Sequence, residues 1–256
     1  MDLRVKEESV EISFLIPCYN EARNVSGALD LIQSVMESKI CSYEILVVDD
    51  GSTDETMKVV EVHCRTHPAA PVKAYRNPKN MGLGWNYIYW AKKARGRYYM
   101  LVNGDNDTRV DDLSEMIDAR GRVDILVPYL MNQNERPLVR RILSQSFTFL
   151  VNQASGHKLK YYNGPVLHLR DNVASFELGS SDYAYQAKLL CWCLDRGKTF
   201  LEFPYRTIVE RQGNSSALRI PNAFSVLRTL WHIFLNRWTK KSRKASPDWK
   251  EELPVA

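Results

Sequence analysis

Tyr98-Tyr99-Met100-Leu101-Val102-Asn103-Gly104-Asp105-Asn106-Asp107 is the stretch on which the reading of this chain turns. It starts as the short apolar run of a buried strand. It ends in Asn-Gly and two carboxylates one residue apart. Open α/β sheets bind ligands at the carboxyl ends of their strands. Two acids so close repel unless a cation sits between them, and Mg²⁺ or Mn²⁺ shared with a phosphate is the usual arrangement. An Asn-Gly-Asp turn that merely ends a strand uses the same residues. The neighbouring sequence has to separate the two.

Upstream, Ile12–Ile16 reads as a first strand, broken at Pro17-Cys18-Tyr19-Asn20-Glu21 and followed by an amphipathic helix through Val25, Leu29, Ile32, Val35 and Met36. Glu44–Val48 is a second strand ending in Asp49-Asp50-Gly51-Ser52-Thr53-Asp54, with Ser52 or Thr53 placed to cap the next helix. Val72–Tyr75 is a short third strand. Asn80-Met81-Gly82-Leu83-Gly84 then turns into a helix through Ala91 and Ala94. Strand–helix alternation at this spacing predicts a mainly parallel sheet flanked by helices. Loops after parallel strands gather on one edge. Glu21, Asp49, Asp50, Asp105 and Asp107 are therefore expected together there, where their mutual repulsion calls for a cation.

Beyond residue 110 the alternation weakens. Val123–Val127 reads as a fifth strand, followed by a basic helix containing Arg136, Arg140 and Arg141. Val166–Leu169 reads as another strand, Asp182–Leu194 as a helix and Thr199–Pro204 as a last strand. Phe224, Leu227, Leu230, Trp231, Phe234, Leu235 and Trp238 give an aromatic helix face, followed by Lys240, Lys241, Arg243 and Lys244. Such a helix suits a membrane surface, and equally a terminal helix packed on its domain. The expected division is a catalytic domain over 1–220, an amphipathic basic helix over 221–245 and a disordered tail over 246–256.

The 256 residues are 45% hydrophobic and 25% charged with a net charge of +5, a mild excess that favours anionic company and excludes little else. Cys18, Cys41, Cys64, Cys191 and Cys193 show no paired or metal-binding spacing, so free thiols in a reducing compartment are expected. His63, His67, His157, His168 and His232 have no ligand spacing either. The charged N-terminus does not read as a signal peptide, and no apolar run is long enough to span a bilayer. A glycan on the Asn106-Asp107-Thr108 sequon would bury the acidic site. Together these place the chain in the cytoplasm, peripheral at the inner face of the membrane. The basic residues form no stripe interleaved with exposed aromatics outside the tail, which argues against nucleic acid.

Four motifs in order, Pro17-x-Tyr19-Asn20-Glu21, Val47-Val48-Asp49-Asp50-Gly51-Ser52-Thr53-Asp54, Asn80-x-Gly82-Leu83-Gly84 and Asp105-x-Asp107, resemble the inverting glycosyltransferase family two, of GT-A fold. The second half resembles its polyprenyl-phosphate branch, through Arg140-Arg141, the Asn163-Gly164-Pro165 turn and Arg211-x-Gly213-x-Ser215. Thr108-Arg109 stands where relatives often carry a metal-supporting Gln.

The resemblance implies a sheet of Rossmann-like, nucleotide-binding type. It implies that Pro17, Tyr19, Asn20, Glu21, Asp50, Asn80 and Gly82 hold the donor nucleotide, with Gly82 and Gly84 allowing close backbone approach. Asp105 would face the nucleotide-sugar, and Asp105 with Asp107 would hold Mg²⁺ or Mn²⁺. Arg140, Arg141, Arg211 and Ser215 would grip an acceptor phosphate. A polyprenyl phosphate is already ionised and needs no strong base. A glycan or lipopolysaccharide hydroxyl would need one, and Asp182 is the candidate, a helix N-cap role being its plainer alternative. Asp105, Asp182 and Arg211 are thus the expected catalytic residues. A nucleotide-sugar-binding protein without turnover is a third, minor reading.

Overall fold

A computed structural model of the chain describes residues 9–104, 107–177, 184–208, 228–235 and 237. Seven strands alternate with helices: β1 Ile12–Cys18, α1 Val25–Glu37, β2 Tyr43–Asp49, α2 Thr56–Thr66, β3 Val72–Arg76, α3 Leu83–Ala91, β4 Tyr98–Leu101, α4 Val110–Asp118, β5 Ile125–Leu130, α5 Leu138–Ser155, β6 Leu167–Leu169, α6 Arg170–Ala174, α7 Tyr185–Leu194 and β7 Phe200–Tyr205. The sheet order is β3-β2-β1-β4-β6-β5-β7. All pairs are parallel except those of β6, which runs antiparallel to both β4 and β5.

Strand alternation splits the core into two layers. Phe14, Ile16, Ile45, Val47, Tyr98 and Met100 face α1, α2 and α4. Leu15, Leu46, Val48, Tyr99 and Leu101 face α3 and α7. Both sheet faces are covered, which is why these strands read as nearly continuous apolar runs. In α1 all five positions picked out by periodicity are buried.

Pro17 does not break the first strand. β1 continues to Cys18, with Pro17 opposite Val48. Along the other side of β1 the β4 pairing stops at Leu15–Leu101, so no ladder hydrogen bond is lost by the missing proline N–H. At the opposite end of the sheet, the buried Glu44 carboxylate accepts hydrogen bonds from Ser13 Oγ (2.7 Å) and the Arg95 N–H (2.7 Å), with Arg95 Nε at 3.2 Å and Lys73 Nζ at 3.3 Å. Burial pushes its pKa up, but these donors outweigh burial and hold it below the ordinary value.

The C-terminal helix is seen at residues 228–235 and 237, inside the expected 221–245. Thr229 and Ile233 are buried, and Arg237 Nη1 donates to the Gln153 carbonyl at the end of α5 (3.0 Å). This segment packs on the domain and leaves Trp231 exposed. No described helix is long and apolar enough to cross a membrane. All five cysteines are free thiols.

Candidate active site at the strand-end crevice

The sheet reverses its winding between β1 and β4, since β2 and β3 lie on one side of β1 and the later strands on the other. Loops leaving adjacent strands at such a point diverge and open a crevice. The loop after β1 is Pro17–Glu21, and the loop after β4 begins Asn103-Gly104. They touch at their bases: a side-chain carbon on Gly104 would lie 3.2 Å from Cys18 Sγ and the Pro17 oxygen, and 3.4 Å from Glu21 Cγ. The loop that carries the first motif therefore lies against the residue that precedes the Asp-x-Asp motif.

The β1 and β2 loops are laced together. Asn20 takes a positive φ of 60°, a conformation that Asn tolerates better than most residues. That turn lets its N–H donate to Ser52 Oγ (2.9 Å) while its side-chain oxygen accepts from the Thr53 N–H (2.9 Å). The Glu21 N–H donates to Thr56 Oγ1 (2.9 Å) and the Ala22 N–H to Asp54 Oδ2 (3.2 Å). Two expectations change here. Neither Ser52 nor Thr53 caps α2; Asp54 instead accepts from the Thr56 N–H (3.0 Å), and Ser52 is engaged by Asn20. Asn20, expected at the nucleotide, has its side-chain oxygen committed to the β2 loop.

The next pair of acids finds partners within the chain, although the buried Asp49 Oδ2 has an ion-pair neighbour and no hydrogen bond. Asp49 accepts from the Ser52 N–H (2.8 Å) and pairs with Arg76 Nε (3.2 Å). Asp50, buried, accepts from Asn77 Nδ2 (2.7 Å), the Met81 N–H (2.8 Å) and the Gly82 N–H (2.9 Å). Glu21 accepts from Asn24 Nδ2 (2.8 Å). The expected need for a cation changes for two of the five carboxylates, because an arginine and oriented N–H donors already offset Asp49 and Asp50. Asn77 also donates to Asn86 Oδ1 (2.8 Å), tying the loop to α3. Arg76, Asn77 and Asn86 belong to none of the motifs and are not singled out by the sequence. Their only signal is position: Arg76 ends β3 and Asn77 follows it, on the edge where the motifs gather.

Gly51 sits at φ 77°, and a Cβ there would lie 2.8–2.9 Å from the Lys79 and Asn80 backbone. Gly51→Ala is expected to cost at least about 2 kcal/mol, from the left-handed backbone and the clash together. Denaturant unfolding beside the wild type measures it. Gly82, at φ 87°, is the N-cap residue of α3, and its carbonyl accepts from Asn86. Gly84 differs from expectation: a Cβ there would meet Tyr185 of α7 at 3.0–3.1 Å, so its small size serves helix packing.

Across the crevice, Asp107 is largely buried, with Asn103 Nδ2 at 3.4 Å. Its carbonyl accepts from the Ile208 N–H (2.8 Å), Thr108 Oγ1 accepts from Tyr205 Oη (2.8 Å), and Asp112 accepts from the Arg206 N–H (2.7 Å). The segment after β7 is thereby held beside the acidic loop. Ile208 is the last described residue before Arg211. Asp105, Asp182, Arg211 and Ser215 lie outside the described residues. Arg140 and Arg141 are half-buried in α5, whose first turn follows β5 on this same edge; Arg141 Nη1 donates to Asn134 Oδ1 (3.2 Å). Tyr19 is exposed and Glu21 half-exposed. Cys18 lies beneath the crevice with its thiol pushed upward in pKa by burial and then by Glu21, Asp49 and Asp54, so it stays protonated. Among the described residues no three His, Cys, Asp or Glu side chains form a metal cluster.

A mixed, mostly parallel sheet with acidic loops at a strand-end crevice is the GT-A arrangement, Rossmann-like in its first half. The family described as "Glycosyl transferase family 2" matches residues 13–173, and the chain belongs to it. A dolichyl-phosphate beta-glucosyltransferase of Trichomonas vaginalis is 30% identical over 112 residues, 42% of this chain and 33% of that protein. A dodecaprenyl-phosphate galacturonate synthase of Rhizobium johnstonii is 28% identical over 160 residues, 60% of this chain and 46% of that protein. The chain thus spans less than half the length of either. Among solved structures, glucosyl-3-phosphoglycerate synthase from Mycobacterium tuberculosis, crystallised with Mn²⁺, uridine diphosphate and phosphoglyceric acid, superposes with a TM-score of 0.63 at 18% identity. That match covers 88% of this chain and 78% of that one, a likeness of fold.

Proposed function

We propose that this chain moves one sugar from a nucleotide-sugar to a polyprenyl phosphate, with inversion at the anomeric carbon, at the cytoplasmic face of a membrane. The observation that carries the reading is the juxtaposition of Pro17–Glu21 and Asn103-Gly104 across the β1/β4 crevice, beside a loop pinned by Asp50. The names of the relatives, dolichyl- and dodecaprenyl-phosphate sugar transferases, support the acceptor class.

Each residue then has a task. The exposed Tyr19 ring offers a face to the nucleotide base. Asp50 uses three of the roughly four acceptor positions of a carboxylate on its own chain, which leaves about one for a base N–H. Asp107 presents hard oxygen donors, which fit Mg²⁺ or Mn²⁺ once Asp105 and diphosphate oxygens join it. When bound, that cation offsets charge on the departing diphosphate. Arg140, Arg141, Arg211 and Ser215 hold the acceptor phosphate, whose oxygen is already ionised, so no side chain needs to remove a proton. The aromatic, basic tail over 224–244 contacts the membrane surface.

The test is incubation with radiolabelled nucleotide-sugars, Mg²⁺ or Mn²⁺, and dolichyl or undecaprenyl phosphate. Chloroform-soluble label from one donor is the expected result, lowered a hundredfold or more by Asp107→Ala, on the order of losing one preorganised charge-stabilising group. No lipid-linked label from any donor would reject the proposal. Label appearing only in a glycan, and lost in Asp182→Asn, would move the acceptor to a sugar hydroxyl.

A further inference from the structure

Asn86 is fully buried in α3, among apolar and aromatic neighbours, and belongs to no motif. Asparagine is a poorer helix former than alanine or leucine, because its amide competes with the backbone. A buried amide persists where its hydrogen bonds are met. Those of Asn86 are met, and their directions are fixed. The Gly82 carbonyl can only accept, so Asn86 turns Nδ2 toward it (3.1 Å) and its Oδ1 faces Asn77. Asn77 must then donate: its Nδ2 lies 2.8 Å from Asn86 Oδ1 and 2.7 Å from Asp50 Oδ1. Both amide hydrogens of Asn77 are thereby used. Asp50 Oδ1 takes a second bond from the Met81 N–H (2.8 Å), and Oδ2 takes one from the Gly82 N–H (2.9 Å). The ring closes on Gly82. Its carbonyl sets Asn86, Asn86 sets Asn77, Asn77 sets Asp50, and Asp50 holds the Gly82 N–H. With Oδ1 filled twice, the remaining acceptor position of the carboxylate falls on Oδ2.

We infer that Asn86 is a positioning residue for the donor: acting through Asn77, it holds the Asp50 carboxylate at one angle, with the open Oδ2 position presented to the nucleotide. Asn86 is buried and touches no donor itself. Without its oxygen, the Asn77 amide has no second acceptor to fix its rotation, and the carboxylate loses its lateral support. A packing role alone would be filled by leucine, which is similar in size, and would affect stability rather than donor affinity. The inference deepens the proposed reading and rests on it for the identity of the donor.

The test is calorimetric binding of adenosine, guanosine, cytidine and uridine diphosphates to the full chain with Mn²⁺, beside donor kinetics in the lipid-transfer assay. Asn86→Leu should weaken the diphosphate that the wild type binds by at least about tenfold. KM for the nucleotide-sugar should rise by the same factor while kcat changes less than about threefold, the pattern of lost ground-state binding. Asn77→Ala should weaken binding comparably, and the double variant no further, since two residues acting in series do not add. Asn86→Asp gives a readout that a structural role would not move. Its carboxyl, when protonated, copies the amide by donating to the Gly82 carbonyl and accepting from Asn77; when ionised, it repels that carbonyl. Burial and the nearby Asp50 charge favour the protonated form. Affinity relative to the wild type should therefore be nearly restored at about pH 5.5 and fall toward about pH 8 as the carboxyl ionises. Recovery at the acid end also guards against a folding defect. Wild-type affinity in Asn86→Leu overturns the inference. So does additivity of the Asn86 and Asn77 substitutions, or an Asn86→Asp profile parallel to that of the wild type. A wild type that binds none of the four diphosphates overturns it together with the proposed reaction. Weakened diphosphate binding in Asn86→Leu, in a protein that transfers no sugar to lipid, would reject the reaction and leave the positioning role intact.

Discussion

Replacing Asp50 with alanine is expected to lower stability by about 3–5 kcal/mol and to abolish donor binding. The carboxylate takes three charge-assisted hydrogen bonds, from Asn77 Nδ2 and the Met81 and Gly82 N–H groups. Bonds to a charged group contribute about 1.5–3 kcal/mol each, and removing the acceptor leaves donors facing a void. Partial relaxation of an exposed loop brings the sum down to the lower range. For a domain of this size the melting temperature should fall by about 10 °C. The functional loss is separable from the fold. Asp50 anchors the loop from Asn77 to Gly82, and Gly51 lies against the backbone of that loop, so one substitution frees two walls of the crevice. Asp50→Asn keeps the size but turns an amide N–H toward a backbone N–H, so it should recover little. Thermal shift with and without uridine or guanosine diphosphate and Mn²⁺ measures both effects. A variant that melts like the wild type and is still stabilised by nucleotide would show that these hydrogen bonds do not hold the loop.

Much of this crevice is legible in the sequence, because each motif carries its own backbone requirement. Asn-Gly after Leu101-Val102 ends a strand, Asp-Asp-Gly after Val48 turns sharply, and Asn80-x-Gly82 opens a helix. Parallel-sheet topology does the rest by delivering all three to one edge. What a sequence does not display is where the donors come from. Repulsion between acids is visible in it; the N–H groups of Met81 and Gly82, which relieve that repulsion, are not. The partnership of Asn20 with Ser52 and Thr53 is hidden for the same reason, since a residue able to cap its own helix is claimed by a neighbouring loop. Strand direction is also out of reach for Val166–Leu169: a run so short is apolar whichever way it lies, and only its pairing with Tyr99 and Ile125 makes it antiparallel. In α5, the sequence shows apolar residues such as Ile142 and Leu150 beside the arginines but does not say which medium they face.

A second large effect is expected from His168. It lies in β6, opposite Tyr99 of β4 and Ile125 of β5, fully buried, with neither ring nitrogen hydrogen-bonded. Its ring meets Tyr87 edge-on at 6.4 Å. Burial favours the neutral imidazole and pushes its pKa from 6.5 down to about 3. In the unfolded chain His168 takes up a proton near its ordinary pKa, while in the folded chain it does not until far lower pH. Between those values the unfolded state binds more protons, so stability falls as pH drops, by about 1.4 kcal/mol per unit at most. From pH 6.5 toward 3 the cumulative loss from this one residue approaches about 4 kcal/mol, a large part of a domain's stability. Carboxylates that titrate below pH 5 add their own slope, so the contribution has to be isolated by difference. His168→Leu supplies it: the variant has no group to protonate there and no unpaired ring nitrogens. It should be more stable than the wild type at pH 7 by about 1–3 kcal/mol, the cost of an unsatisfied buried polar group. Its advantage should widen steadily as pH is lowered from 6.5 to 5. Parallel stability curves for the two proteins over that range would mean that the imidazole finds a proton partner in the fold and that its isolation within the sheet has no thermodynamic consequence.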